Sequence, residues 1–158
     1  TIGVESQMGK GTKFTITFPV QPVAPKTTEI SIIPERGKGL KKRILVVDDE
    51  EGIRSALVRF MKPHDIVAAA SGASAREIFE TRQDFDCIIC DLMMPEISGM
   101  DLHLWVKNTY PALARKFVFM TGGVFTPKAR EYLSQVDNLV VEKPFDLKAL
   151  KKLIDEFS

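Results

Sequence analysis

Four short apolar runs each end in a residue that can act on a phosphate. Leu45-Val46-Val47 leads into Asp48-Asp49, Cys87-Ile88-Ile89-Cys90 into Asp91, Phe117-Val118-Phe119-Met120 into Thr121, and Leu139-Val140-Val141 into Glu142-Lys143-Pro144. Short apolar runs separated by helical patterns predict buried parallel strands, and in such sheets the side chains at the carboxyl ends of the strands converge on one crevice. Three carboxylates, a hydroxyl and an ammonium are therefore expected to share one pocket.

The segments between the runs carry the helices that close such a sheet. Ile53, Leu57, Phe60 and Met61 recur at helical spacing until Pro63 stops them, and Ile66 to Ala70 read as a small-residue second strand. Further helices carry Ala75, Ile78 and Phe79, then Leu102, Trp105 and Val106. A fourth begins at Thr126-Pro127, where a capping hydroxyl precedes a first-turn proline, and a fifth begins at Asp146 with Leu147, Leu150, Ile154 and Phe157 on one stripe. Five strands and five helices alternate. Right-handed crossovers then favour an α/β, doubly wound, five-stranded parallel sheet of order 2-1-3-4-5, a flavodoxin-like arrangement.

Three carboxylates packed closely repel, so either one takes up a proton or a cation neutralises them. Magnesium, held by one or two carboxylates together with water and phosphate oxygens, matches what Asp48, Asp49 and Asp91 offer around a phosphoryl group. Lys143 adds a fixed positive charge for the equatorial oxygens, and an aspartate can itself be the nucleophile. A lone aspartate at a strand end commonly caps the next helix. Five polar groups at successive strand ends are not five separate caps.

Asp48-Asp49, the run Asp91-Leu92-Met93-Met94-Pro95 followed by Gly99, then Thr121-Gly122-Gly123 and Lys143-Pro144-Phe145 resemble the receiver domain of two-component response regulators. The likeness spans residues 41–158. It implies that Asp91 is the phosphoacceptor, that Asp48, Asp49 and Asp91 hold Mg2+ with the main-chain carbonyl of Met93, and that Thr121 and Lys143 bind the phosphoryl group. It also implies a cis Lys143-Pro144 peptide, a geometry confined almost wholly to X-Pro bonds. A receiver catalyses its own phosphoryl transfer and hydrolysis. Receivers often carry an aromatic residue three positions before the lysine; here that position is Val140, so the signal travels through something other than a Tyr or Phe rotamer there. Met93 and Gly123 lie where receivers vary in dephosphorylation rate.

Residues 1–19 alternate polar and apolar around a glycine-rich turn, as a hairpin or half-buried strand does. Gly9, Gly11, Thr12 and Phe14 resemble the last glycine box and closing strand of the ATP-binding domain of sensor histidine kinases. The rest of that domain's ATP site is absent, so no ATP binding is expected of this chain. The orphaned strand has three fates open to it: disorder, packing on the receiver, or pairing with another copy through its edge. Residues 20–40, with prolines at 22, 25 and 34, read as an interdomain linker whose only aliphatic cluster is Ile30, Ile32 and Ile33. Thr1 in place of an initiator methionine points to a longer parent.

The charges nearly cancel, 22 basic against 21 acidic residues for a net +1, which removes a whole-chain basic field and disfavours nucleic acid as a partner. No apolar run approaches the roughly 20 residues of a membrane span, so a cytoplasmic chain without membrane contact is expected, a membrane anchor upstream in the parent being left open. The basic cluster Lys38, Lys41, Lys42 and Arg43 reads as a solvated strand entrance, and Lys148, Lys151 and Lys152 as a solvated helix face. Cys87 and Cys90 form a C-x-x-C, but positions i and i+3 of a strand face opposite sides, so two buried core thiols are expected. His64 and His103 read as surface or partly buried histidines, and Trp105 and the methionines as core.

The expected function is a phosphoryl-accepting receiver of a hybrid sensor histidine kinase in a phosphorelay. Its partners would be the phosphohistidine of a kinase or phosphotransfer domain, with a receiver homodimer through the fourth helix, fifth strand and fifth helix as a further contact. The alternative is a docking module that keeps the fold and signals without phosphorylation. An aspartate-nucleophile hydrolase fits less well, because those enzymes usually carry Asp-x-Asp after the first strand where this chain has Asp48-Asp49-Glu50. A DNA-binding regulator is disfavoured because the fifth helix runs to the end of the chain at Ser158.

Overall fold

The computed structural model describes residues 2–7, 9, 11–16, 41–122 and 126–157. The chain divides into two compact units, Thr1–Arg36 and Gly37–Ser158. In the first, strands β1 (Ile2–Gln7) and β2 (Gly11–Ile16) form an antiparallel hairpin in register from Ile2↔Ile16 to Gln7↔Gly11. Gly9 and Gly11 have φ of +81° and +103°, a region costly for any residue with a Cβ. The glycine-rich turn is therefore what reverses the chain. The linker at 20–40, including Ile30, Ile32, Ile33 and Lys38, lies outside the described residues, as does Gly123.

The second unit is built on a five-stranded parallel sheet of β3 (Arg43–Val47), β4 (Asp65–Ala69), β5 (Cys87–Asp91), β6 (Phe117–Thr121) and β7 (Leu139–Glu142), in the order β4-β3-β5-β6-β7. This is the expected 2-1-3-4-5 arrangement. The interior strands β5 and β6 are buried at every residue, whereas Leu139 and Val140 on the edge strand β7 are each 42% exposed. An interior strand of a doubly covered sheet has no wet face, and its sequence shows this as an unbroken apolar run.

Strand side chains alternate between two cores. Ile44, Val46, Cys87, Ile89, Val118 and Met120 pack against Leu57 and Met61 at helix α1 (Glu51–Phe60) and against Leu150 and Ile154 of α6 (Leu147–Glu156). On the other face, Leu45, Val47, Ile88, Cys90, Phe117 and Phe119 meet α2 (Gly72–Thr81), α3 (Gly99–Thr109), α4 (Pro111–Ala114) and α5 (Pro127–Leu133). Cys87 and Cys90 thus lie in opposite cores as buried free thiols. Four of the described helices start at a side-chain cap: Ser71 accepts from Ser74 N–H, Ser98 from Asp101 N–H, Thr126 from Ala129 N–H and Asp146 from Ala149 N–H. The Lys62-Pro63 and Lys143-Pro144 peptides are both cis.

Several expectations are corrected. A sixth helix, α4, adds one turn whose four residues are too few to show periodicity, although Leu113 and Ala114 are buried in it. The second strand of the receiver begins and ends one residue earlier than predicted, at Asp65–Ala69. His103 is not at the surface or half-buried but buried at 2% exposure, because Nδ1 meets the Tyr132 hydroxyl at 2.6 Å and Nε2 the Ala114 carbonyl at 2.9 Å. Met93 is 46% exposed and leaves the core to the other described methionines. Lys42 and Arg43 are not merely solvated. Lys42 Nζ donates to the carbonyls of Ile154, Asp155 and Phe157 at the end of α6, and Arg43 pairs with Asp65 and Asp84.

Candidate functional site

Strand register assembles the site. Val47 pairs with Cys90, so Asp48 stands level with Asp91; Asp91 pairs with Met120, so Thr121 follows by one residue; Thr121 pairs with Glu142, so Lys143 follows again. All four reach the same edge of the sheet because parallel strands end together there. Asp48, Asp91 and Thr121 are buried at 0%, 5% and 1% exposure, while Asp49 is exposed.

Lys143 Nζ is the hub. It donates to Asp91 Oδ2 at 2.7 Å and to Asp48 Oδ2 at 2.9 Å, and Glu50 Oε1 lies 3.7 Å away. Its own main-chain N–H is anchored to the Thr121 carbonyl at 2.6 Å. The second oxygen of each buried carboxylate accepts a main-chain N–H, Asp48 Oδ1 from Glu50 at 2.8 Å and Asp91 Oδ1 from Met93 at 3.1 Å. Backbone amides therefore fix the rotation of both carboxylates.

Burial pushes the Asp48 carboxyl above its ordinary value, outweighing the Lys143 ammonium and the Glu50 amide that favour its charge, and nearby Asp91 adds to the rise. Burial alone would lower the Lys143 ammonium, but its bonds to Asp91 and Asp48 together outweigh burial and raise it. Lys143 thus stays a cation. Asp48, Asp49 and Asp91 each present an oxygen within 4.8 Å of the others, a hard all-oxygen donor set suited to magnesium. One ammonium among these acids leaves negative charge for a divalent ion to balance.

Gly99 and Arg54 complete the geometry. A Cβ on Gly99 would sit 2.2 Å from the Asp91 carbonyl oxygen and 2.9 Å from Leu92 Cα, so only glycine lets the start of α3 rest against the peptide that carries Asp91. Sequence reasoning saw Gly99 only as part of a motif. It missed Arg54, whose Nη1 donates to the Asp48 main-chain oxygen at 2.7 Å. The available signal was a long cation one helical turn beyond Glu50, on the helix that follows the acidic pair.

A second recess, of about 580 Å³, is lined in part by His103, Lys107, Arg115 and Asn138, and contains none of the strand-end acids. Among the described residues no helix is long and apolar enough to cross a membrane.

Comparison with known proteins agrees with the geometry. Over 163 residues the chain is 29% identical to the sensor kinase CckA of Brucella abortus, covering 96% of this chain and 17% of that protein. It is 28% identical over 160 residues to the aerobic respiration control sensor protein ArcB of Escherichia coli, covering 99% and 20%. The chain thus spans about a fifth of the length of these curated relatives. The structure of a response regulator receiver protein from Pseudomonas putida superposes with a TM-score of 0.66 at 25% identity, over 74% of this chain and 98% of that one. The chemotaxis protein CheY4 of Vibrio cholerae, 21% identical, shares the fold with a TM-score of 0.65 over 75% of this chain and all of that one. The model of the response regulator receiver domain matches residues 44–155, and with the strand-end acids, threonine and lysine in place, this chain belongs to that family.

Proposed function

We propose that this chain is the phosphoryl-accepting receiver of a hybrid sensor histidine kinase, with Asp91 as the acceptor. The observation that carries the reading is the Lys143 ammonium bonded at once to Asp91 and Asp48, inside a ring of three carboxylates. An Asp91 oxygen attacks the phosphorus of a phosphohistidine or small phosphodonor in line. The bond from phosphorus to the donor breaks as the bond to Asp91 forms, and the leaving group departs with its electron pair. Lys143 follows the charge onto a phosphoryl oxygen, and the Thr121 hydroxyl donates to another. Magnesium, which Asp48, Asp49, Asp91 and the Met93 carbonyl would hold, supplies neutralising charge. Water later attacks the phosphorus, the bond from phosphorus to the Asp91 oxygen breaks, and inorganic phosphate leaves as the carboxylate is restored.

Residues 1–19 are proposed to be the end of the kinase ATP-binding domain, supported by the matches to CckA and ArcB that run through nearly the whole chain. The surface of α5, β7 and α6 is the proposed partner face, for a kinase, a phosphotransfer domain or a second receiver, and the exposed Leu139 and Val140 on β7 support it. The reading places the chain in the cytoplasm.

Intact-mass spectrometry after incubation with magnesium and a small phosphodonor tests the acceptor. One phosphoryl adduct is expected, dependent on metal and absent in Asp91→Asn. A folded protein that gains no adduct would favour the docking-module reading, which Val140 already suits by removing the aromatic switch. Lys143→Ala should impair the response to phosphate more than it impairs folding.

A further inference from the structure

Asp48 is held at each of its polar atoms. Its N–H donates to the Ala69 carbonyl at 3.2 Å, Oδ1 accepts from Glu50 N–H at 2.8 Å, Oδ2 accepts from Lys143 at 2.9 Å, and its main-chain oxygen accepts from Arg54 Nη1 at 2.7 Å. The first three follow from the sheet and from the phosphoryl chemistry. The fourth follows from neither. The ladders on both sides of β3 close at Val47, against Ala69 and Cys90, so among the described residues no strand lends a donor to the next carbonyl. A partly buried carbonyl without a donor is costly, and Arg54 supplies the donor.

That carbonyl belongs to the peptide unit joining Asp48 to Asp49. Rotation of this one unit changes the directions of the two carboxylates relative to each other. Arg54 is partly buried on α1, and its N–H donates to the Glu50 carbonyl at 3.1 Å, while Glu50 N–H is bonded to Asp48 Oδ1. Asp48, Glu50 and Arg54 thereby form a closed loop of hydrogen bonds around the acidic pair.

We propose that Arg54 is a positioning residue for the acidic pair, fixing the Asp48-Asp49 peptide so that both carboxylates face one divalent cation. This rests on the reading of Asp48, Asp49 and Asp91 as a magnesium site. Two consequences of removing Arg54 oppose each other. Loss of a cation beside three acids by itself strengthens binding of another cation, whereas loss of the peptide anchor weakens it. Geometry outweighs charge here, because the carboxylates must converge before their charge is useful to a small ion.

Magnesium titration of the full chain, followed by amide chemical shifts, tests this in wild type, Arg54→Met and Arg54→Lys. Arg54→Met keeps the aliphatic stem and loses both donor and charge; about tenfold weaker magnesium binding is expected. Arg54→Lys restores a donor and should recover part of the loss. In metal-free Arg54→Met the Glu50 amide should exchange faster with solvent, and any phosphoryl-labelling deficit should close as magnesium is raised. Unchanged or tighter magnesium binding by folded Arg54→Met would overturn the proposal while leaving the metal site intact. A wild-type chain that binds no magnesium would overturn the metal-site reading and this proposal with it.

Discussion

The Asp91 carboxylate is placed as much by what is missing at Gly99 as by what holds it. The nearest atoms to an added Cβ belong to the backbone of Asp91 and Leu92, and backbone cannot swing aside as a side chain can. Gly99→Ala should cost about 3 kcal/mol in chemical denaturation, since α3 or the acceptor loop must move. Asp48 carries a second consequence. Its carboxyl is raised by burial above the 3.8 of a free aspartate, so the folded site takes up a proton at higher pH than the unfolded chain does. Ionised Asp48 therefore opposes folding at neutral pH, and this penalty is relieved as pH falls through the raised value. Magnesium needs the ionised form, so as pH is lowered its proposed affinity should begin to fall at a higher pH than a free aspartate would dictate, read by titration over a descending pH series. Affinity that begins to fall only below 3.8 would contradict the shift. At this scale the site was legible because each of Asp48, Asp91, Thr121 and Lys143 ends an apolar run. His103 was not, since its burial depends on Tyr132, 29 residues away, and on a one-turn helix without periodicity.

Among elements, α5 is tied to α3 through a specific side-chain pair. It starts five residues after Thr121, at the Thr126 cap, and Tyr132 near its far end meets His103 of α3. His103 Nε2–H donates to the Ala114 carbonyl, which leaves Nδ1 as the acceptor of the Tyr132 hydroxyl proton. Burial lowers the His103 imidazolium, with the Ala114 bond opposing and Lys107 assisting, so the neutral ring this pattern requires is favoured. Tyr132→Phe should cost about 1 kcal/mol by equilibrium denaturation. No loss would mean that the hydroxyl bond is replaced by water. The buried thiols report on the strand assignments: burial raises Cys87 to about 12 and raises Cys90 as well, so neither should react with a thiol reagent until the sheet opens. Element types were largely legible from apolar runs, caps and prolines. The edge place of β7 came from the expected strand order and not from composition, because Leu139-Val140-Val141 reads like an interior strand; among the described residues no strand pairs with its outer side.

At the scale of the whole molecule, the two units differ in what can hold them together. The second has two cores, one on each face of its sheet, with Lys42 binding the carbonyls that end α6 and so tying the start of the unit to its close. The hairpin β1–β2 has Val4 57% exposed, and a two-stranded hairpin is at best marginally stable alone in water. Stability should therefore reside in the second unit. A chain beginning at Gly37 should melt within about 2 °C of the full chain, a shift corresponding to well under 1 kcal/mol for a domain of this size. It should also take up the phosphoryl group equally well, because each proposed site residue, from Asp48 to Lys143, lies beyond the cut. In that shorter chain Lys42→Met leaves the last carbonyls of α6 without the ammonium while keeping the main-chain bonds of residue 42 with His64 and Asp65. The comparison of the truncation with the substitution then separates the upstream segment, whose loss should be silent, from one ammonium whose loss should lower the melting temperature. Equal melting of the shorter chain with and without Lys42→Met would show that water serves the end of α6 as well as Lys42 does.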